Sequence, residues 1–388
     1  MSKQYKYYIY FCVSIAFLTF FGIIMVFSSS AIDSMSRNKS PFLPLLTELI
    51  FVLVGLAAFI ITSRIKTTTF IKYAKYIYII SIIFCLLVYT PLGVTINGNR
   101  NWINLGLTTV QPSEFLKLTL SLWLALVLSR RTAFLNQFMY ILVPGGIGAA
   151  ISFGVVMLGG DLGTAIILAL IIAVCYTLAG TPAKFLILAC LGGFLVLVLA
   201  FVVGSSNRMD RVLAAYGNCE GHEEGFCYQT IHGLYALATG GWFGVGPGAS
   251  REKWNYLPEA NNDFIFSVIG EEFGVLGTLL VLIIFVFLLY ATYRIILNLK
   301  YKYQKIVAGA IIVWIIGQAM INMAIVVKLL PVMGVPLPLI SSGGSSLVST
   351  LLALGVIASF TRESMGRRQG IVSLFTRFGK AKMKMVEV

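Results

Sequence analysis

Apolar residues in this chain come in long unbroken runs rather than at the three-to-four-residue spacing of a half-exposed helix. Runs long enough to cross a hydrocarbon layer stand near 8–29, 43–63, 76–93, 113–129, 139–158, 162–179, 185–204, 265–291, 307–328 and 344–360. Each is bounded by charged or Gly/Pro-containing sequence, which predicts an all-α polytopic membrane protein of about ten transmembrane helices. Two polar stretches interrupt the runs on one side, 94–112 and a larger one at 205–264 between the seventh and eighth spans. A third break, Pro331 to Ser346, holds prolines at 331, 336 and 338, which exclude a regular helix there. Within the larger stretch, Ile231, Leu234, Tyr235 and Ala238 recur at helical spacing over a segment too short to span, so an interfacial or re-entrant helix is expected.

Composition sharpens this. Of 388 residues 58% are hydrophobic and 11% charged, about half the charge of a soluble domain, so a water-soluble enzyme is excluded. The net charge of +14 would suggest nucleic acid in a soluble protein. Here it reports orientation instead, and no nucleic-acid partner is expected. With the N-terminus inside, 20 of the 29 Lys and Arg residues fall in inner segments, which places both termini in the cytoplasm and 205–264 outside. Residues 1–362 then read as one transmembrane domain and 363–388 as a short basic cytoplasmic tail suited to anionic lipid.

The ionisable residues of the outer segments are the candidate chemistry. Ser113 is an expected helix cap. Glu114 and Lys117 stand three apart on one helical face, either as a stabilising ion pair or as part of a cavity. Trp102 is an interfacial anchor or the wall of a groove. Asp161 opens a span, where an acid commonly caps the helix. Glu48 lies inside the second span and must face protein or water. Arg208 and Arg211 are able to hold an anionic group, and Arg251 and Lys253 to face lipid phosphates. Asp263 directly precedes the eighth span and is a candidate N-cap, whereas Glu271 and Glu272 lie two turns inside it and need pairing or a wet cavity. Cys219 and Cys227 bracket a polar loop and are close enough in sequence for a disulfide on an oxidising face.

Taken together in this order, Gln111-Pro-Ser-Glu114 with Lys117, Asp161-Leu-Gly-Thr164, Leu257-Pro-Glu-Ala260 with Asp263-Phe-Ile-Phe266, Glu271-Glu272 and Gly334-Val-Pro-Leu-Pro-Leu-Ile340 followed by Ser341-Ser-Gly-Gly-Ser-Ser346 resemble the shape, elongation, division and sporulation (SEDS) family over roughly 10–362. The Cys219–Cys227 loop and Gly248-Ala-Ser-Arg-Glu-Lys-Trp254 are most similar to the division branch, of actinobacterial type, with the elongation branch more distant. The resemblance implies a peptidoglycan glycosyltransferase that polymerises lipid II at the outer face of the cytoplasmic membrane, at the division septum, beside a class B penicillin-binding protein and other divisome proteins. It implies a catalytic base at Asp263. Trp102, Glu114 and Lys117 match positions of the outer cavity or its support, Asp161 and Glu259 are further candidates to line that cavity, and Arg208, Arg211, Arg251, Lys117 and Lys328 are candidates to meet the pyrophosphate charge. Glu271 and Glu272 are assigned structural roles. No cofactor is required, although a divalent cation, Mg or Mn, is compatible with a pyrophosphate leaving group. Two positions depart from the family pattern. Gly159 and Gly160 replace a Gln or Glu and a Pro, and Asn261 replaces a His, so no histidine acts two residues before Asp263. A flippase of the same lipid precursor and a non-catalytic divisome scaffold are the alternatives.

Overall fold

The computed structural model describes residues 3–36, 40–96, 99–104, 106, 108–202, 206–217 and 225–366. In chain order the helices are α1 (Lys3–Ser36), α2 (Leu43–Thr62), α3 (Thr67–Leu86), α4 (Pro112–Ser129), α5 (Phe138–Ile141), α6 (Ile147–Leu158), α7 (Leu162–Ala179), α8 (Ala183–Val202), α9 (Ser206–Tyr216), α10 (Gly225–Gly240), α11 (Ile265–Leu297), α12 (Lys302–Val326) and α13 (Gly344–Ser364). The segments α5 and α6 form one crossing, Phe138–Leu158. Among the described residues nine helices, rather than ten, are long and apolar enough to cross a membrane. The expected seventh span coincides with α8, whose described apolar stretch, Ala183–Gly193, is too short by itself.

Helices α4, α12 and α13 are the most enclosed and form the centre of the bundle, with α2 packed on α13, α3 on α4, α7 on α12 and α1 on α11. The outward faces of α2, α3 and α11 carry exposed Leu, Ile, Val and Tyr, as a lipid-facing wall requires. One end of the bundle gathers the C-terminal turns of α1, α6 and α12 with the N-terminal ends of α2, α4, α7, α11 and α13. Contacts from Ser28 to Glu272, Asn261 to Ser30, Gln111 to Asp161 and Asn261 to Ser342 tie that end together.

Two features of this end were not expected from the apolar pattern. The stretch 94–112 folds as an antiparallel sheet in the order β1 (Gly93–Ile96), β2 (Asn99–Asn104), β3 (Thr109–Val110), with Val94 opposite Trp102 and Ile103 opposite Val110. The chain is therefore all-α only in its spans. The second feature is a break in α11 at Gly274, whose φ of 66° and ψ of −164° are open to glycine alone. The backbone freed at the break is satisfied by the turn after α10. The Val245 and Gly246 amides donate to the Glu271 and Glu272 carbonyls (2.9 and 3.1 Å), and the Val275 amide donates to the Gly241 carbonyl (2.9 Å). Helix α10, expected over 229–240, is locked to α11 through this exchange, which covers irregular backbone as an apolar environment demands.

Candidate functional site

Asp263 ends a tight turn. The amides of Asn262 and Phe264 both donate to the Glu259 carbonyl (3.0 and 3.2 Å), and Glu259 itself has a φ of 55°. The N-cap position of α11 is Phe264, without a side-chain cap bond, so Asp263 does not cap the helix as its sequence position suggested. Its side chain is buried, and Oδ1 has no hydrogen-bond partner. Burial, followed by the charge of Glu259, pushes the carboxyl up to about 7, with Arg211 opposing the shift and Asp161 adding to it. A carboxyl so placed exchanges its proton near neutrality, as a group that takes and returns protons must.

The loop carrying Asp263 lies on the proline-containing segment. The Ser342 amide donates to the Asn261 carbonyl (2.9 Å) and the Ser341 hydroxyl to the Asn262 carbonyl (2.6 Å). On its other side the loop is held by buried carboxylates. Glu271 accepts from the Ser250 hydroxyl, the Arg251 amide (2.8 Å) and the Glu252 amide (3.4 Å). Glu272 forms a buried ion pair with Lys253 (2.7 Å) and accepts from Ser28 (2.6 Å). Lys253, a sequence candidate for lipid phosphates, is thus occupied inside the protein, because its ammonium also donates to the Gly248 carbonyl (2.7 Å).

Glu114 and Lys117 form a second buried pair at 2.8 Å, with exposures of 3% and 1% for their side chains. Lys117 also donates to Gln318 Oε1 (3.0 Å) and lies over the Trp314 ring at 4.6 Å, while Glu114 accepts from Ser349 (3.1 Å). Fully enclosed and fully paired, this lysine is not presented to a pyrophosphate. The expected Ser113 cap is also replaced. Pro112, which needs no amide partner, takes the first turn behind Gln111, and Ser113 Oγ is left buried and unpartnered.

Asp161 does cap α7, accepting from the Thr164 amide (2.9 Å) and from Gln111 Nε2 (2.8 Å). Burial pushes its carboxyl up against the Thr164 amide, which favours the charged form. Beside it lies a small, partly open cleft walled by Tyr89, Arg100, Asn101, Ser113 and Asp161, but not by Asp263. Gly159 lies against β2: its carbonyl accepts from the Arg100 amide (3.1 Å), and a Cβ there would stand 3.0 Å from the Arg100 carbonyl oxygen and displace the Asn101 side chain.

The remaining candidates are dispersed. Arg211 is half-buried and donates to the Val332 carbonyl (3.3 Å), which makes it the base whose charge Asp263 feels. Arg251 and Glu259 are exposed, and Lys328, at φ 60°, and Trp102 are half-buried. Cys227 is disulfide-bonded, while Cys219 and the Arg208 side chain lie outside the described residues. Sequence reasoning missed Gln318 and Asn322, which brace the site from α12 and stand in no motif with it, whereas Ser341 belongs to the serine-glycine run after Ile340.

The chain matches the cell cycle protein family of FtsW, RodA and SpoVE over residues 8–366. It is 36% identical to stage V sporulation protein E of Bacillus subtilis, covering 88% of this chain and 93% of that protein. It is 34% identical to a probable peptidoglycan glycosyltransferase FtsW of Burkholderia thailandensis, covering 91% and 78%. A Mycobacterium tuberculosis protein of the same name is also 34% identical, covering 90% and 66%. The likeness therefore extends across diverse bacteria, and the expected actinobacterial leaning is corrected to a broad one. A chain of a peptidoglycan synthase complex, solved to study coordination of polymerisation and crosslinking, shares the fold with a TM-score of 0.74 at 23% identity, covering 91% of this chain and 97% of that one.

Proposed function

Since the chain belongs to the FtsW, RodA and SpoVE family of cell cycle proteins, we propose that it is a peptidoglycan glycosyltransferase that joins lipid II units into glycan strands, with Asp263 as general base. The observation that carries the role of Asp263 is its buried carboxyl with an unpartnered Oδ1 and a proton held to about pH 7. In the reaction the acceptor sugar hydroxyl attacks the anomeric carbon of the donor. A new C–O bond forms, the bond to the polyprenyl pyrophosphate breaks, and that leaving group departs with the electron pair. The hydroxyl proton passes to the Asp263 carboxylate, which later releases it to water. One base suffices for an inverting displacement.

Charge growing on the pyrophosphate is met by Arg211, Arg251 or Lys328 in this reading, not by the enclosed Lys117. Among the described residues no group of three His, Cys, Asp or Glu side chains is arranged to hold a metal ion. A Mg or Mn ion would accordingly be held chiefly by phosphate oxygens with one carboxylate, and would supply further neutralisation of the leaving group. We place the chain in the cytoplasmic membrane at the septum, with the Asp263 end outside. A class B penicillin-binding protein and other divisome proteins are its partners, a reading supported by the fold it shares with a chain of a synthase complex.

The test is incubation of purified full-length protein with labelled lipid II in detergent, where no membrane separates two compartments. Polymer supports the enzyme. Movement of lipid II across vesicles without polymer in either setting would replace the proposal with a flippase.

A further inference from the structure

Three consecutive carbonyls ahead of α11 are each taken by a donor from elsewhere in the chain: Asn261 by the Ser342 amide, Asn262 by the Ser341 hydroxyl, and Asp263 by Asn322 Nδ2 at 2.7 Å. Asn322 is fully buried on α12 and gives the second proton of the same amide to the Val335 carbonyl, also at 2.7 Å. One turn earlier, Gln318 Nε2 donates to the next carbonyl, Pro336, at 2.9 Å. Positions 318 and 322 share a helical face, so α12 presents two amides in a row to two adjacent carbonyls of the proline segment. Gln318 is itself fixed by Lys117 and by Trp314 Nε1 (2.9 Å).

A primary amide has two N–H groups in one plane. At Asn322 both are spent, one on the backbone of Asp263 and one on the residue after Gly334. Gly334, at φ 68°, stands against the carboxyl: a Cβ at that position would lie 3.6 Å from Asp263 Oδ2. That is ordinary van der Waals contact, so the two loops lie side by side at this point and the carboxyl borders the Gly334 backbone.

We propose that Asn322 is a positioning residue for Asp263: its amide ties the Asp263 and Val335 carbonyls together and thereby fixes where the carboxyl stands against Gly334. The inference rests on the role of Asp263 proposed above. A structural brace alone would change how much folded protein survives, whereas a positioning residue changes turnover by the protein that is folded. Burial acts most on the Asp263 charge, followed by Glu259, Arg211 and Asp161, whereas the Asn322 amide donates to the Asp263 and Val335 carbonyls, so a change in the pH profile would report the placement of the carboxyl itself.

Lipid II polymerisation by purified full-length wild type is compared with Asn322→Leu, Asn322→Gln, Ser341→Ala and Asp263→Asn at matched amounts of folded protein. Loss of both amide bonds in Asn322→Leu is expected to lower kcat by at least about tenfold, since small misplacements of reacting groups carry large rate penalties. KM should stay within about twofold, because no lipid II contact is removed. The ascending limb of the pH–rate profile should move to lower pH as water reaches the loosened carboxyl. Asn322→Gln, which keeps the donors, should recover part of kcat. Ser341→Ala loosens the neighbouring carbonyl and should show the same signature more weakly; it decides the matter if Asn322→Leu fails to fold. Turnover and pH profiles within about twofold of wild type in the variants that fold would overturn the positioning role, provided Asp263→Asn is inactive. An active Asp263→Asn would instead withdraw the reading on which the inference stands.

Discussion

Asp263 combines two properties that rarely coexist without a reason: it is enclosed by protein, and one of its oxygens is left without a donor. Its proton is held to about 7 against an ordinary value of 3.8. Between those values the folded chain binds more protons at this site than the unfolded chain, so stability falls as pH rises through the window and levels off above it. Asp263→Asn removes the buried charge. The variant should therefore unfold at a higher temperature than wild type at pH 8, with the difference shrinking toward pH 4; thermal unfolding in detergent at several pH values checks this, and a lower melting temperature for Asn at pH 8 would contradict it. Turnover should follow the opposite course, rising with pH through about 7 as the carboxylate forms, and a rate independent of pH between 5.5 and 8 would count against a titrating base there. The sequence pointed to this residue through the Leu257–Phe266 motif and its place before an apolar run. It did not reveal the orphaned oxygen or the absence of a capping bond. Both belong to a turn whose carbonyls are held by Asn322, Ser341 and Ser342, some 60 to 80 residues further along the chain.

Among the elements, the broken α11 and the loop leading into it act as one unit through Lys253 and Glu272. Both are buried, and their 2.7 Å pair is shared with Ser28 of α1. Removing one partner leaves the other charge enclosed, which costs about 3 to 5 kcal/mol, whereas removing both costs much less. Glu272→Gln and Lys253→Met should each lower the melting temperature sharply, and the double substitution should recover most of the loss. Equal, additive losses in a denaturation series would show that the charges do not depend on each other. Two acids inside an apolar run announced the need for such a partner, but not that Lys253 supplies it, because the pairing depends on the turn between α10 and α11. The small sheet escaped for a different reason. Asn99-Arg-Asn-Trp-Ile-Asn104 is poor in β-branched residues and lacks clean alternation, so its strands are set by docking onto the ends of α3 and α6 rather than by local preference.

At the scale of the whole molecule, the run lengths alone outlined the bundle, because twenty consecutive apolar residues have few alternatives to a membrane helix. Nine helices among the described residues meet that length and composition. Orientation rests on the distribution of Lys and Arg, which predicts the Asp263 end outside. A membrane-impermeant thiol reagent on intact cells should label Trp254→Cys, at an exposed position of the large loop, and leave Lys300→Cys unmodified. The reverse pattern would turn the molecule over and remove its site from the face where strands are built.

That face and the carboxyl within it converge on one assay. Strand formation from lipid II is followed over time with matched amounts of folded wild type and Asp263→Asn. Loss of general-base transfer should reduce polymerisation by at least about a hundredfold in the variant while its folded yield is unchanged, and near-normal strand formation by Asp263→Asn would contradict the account.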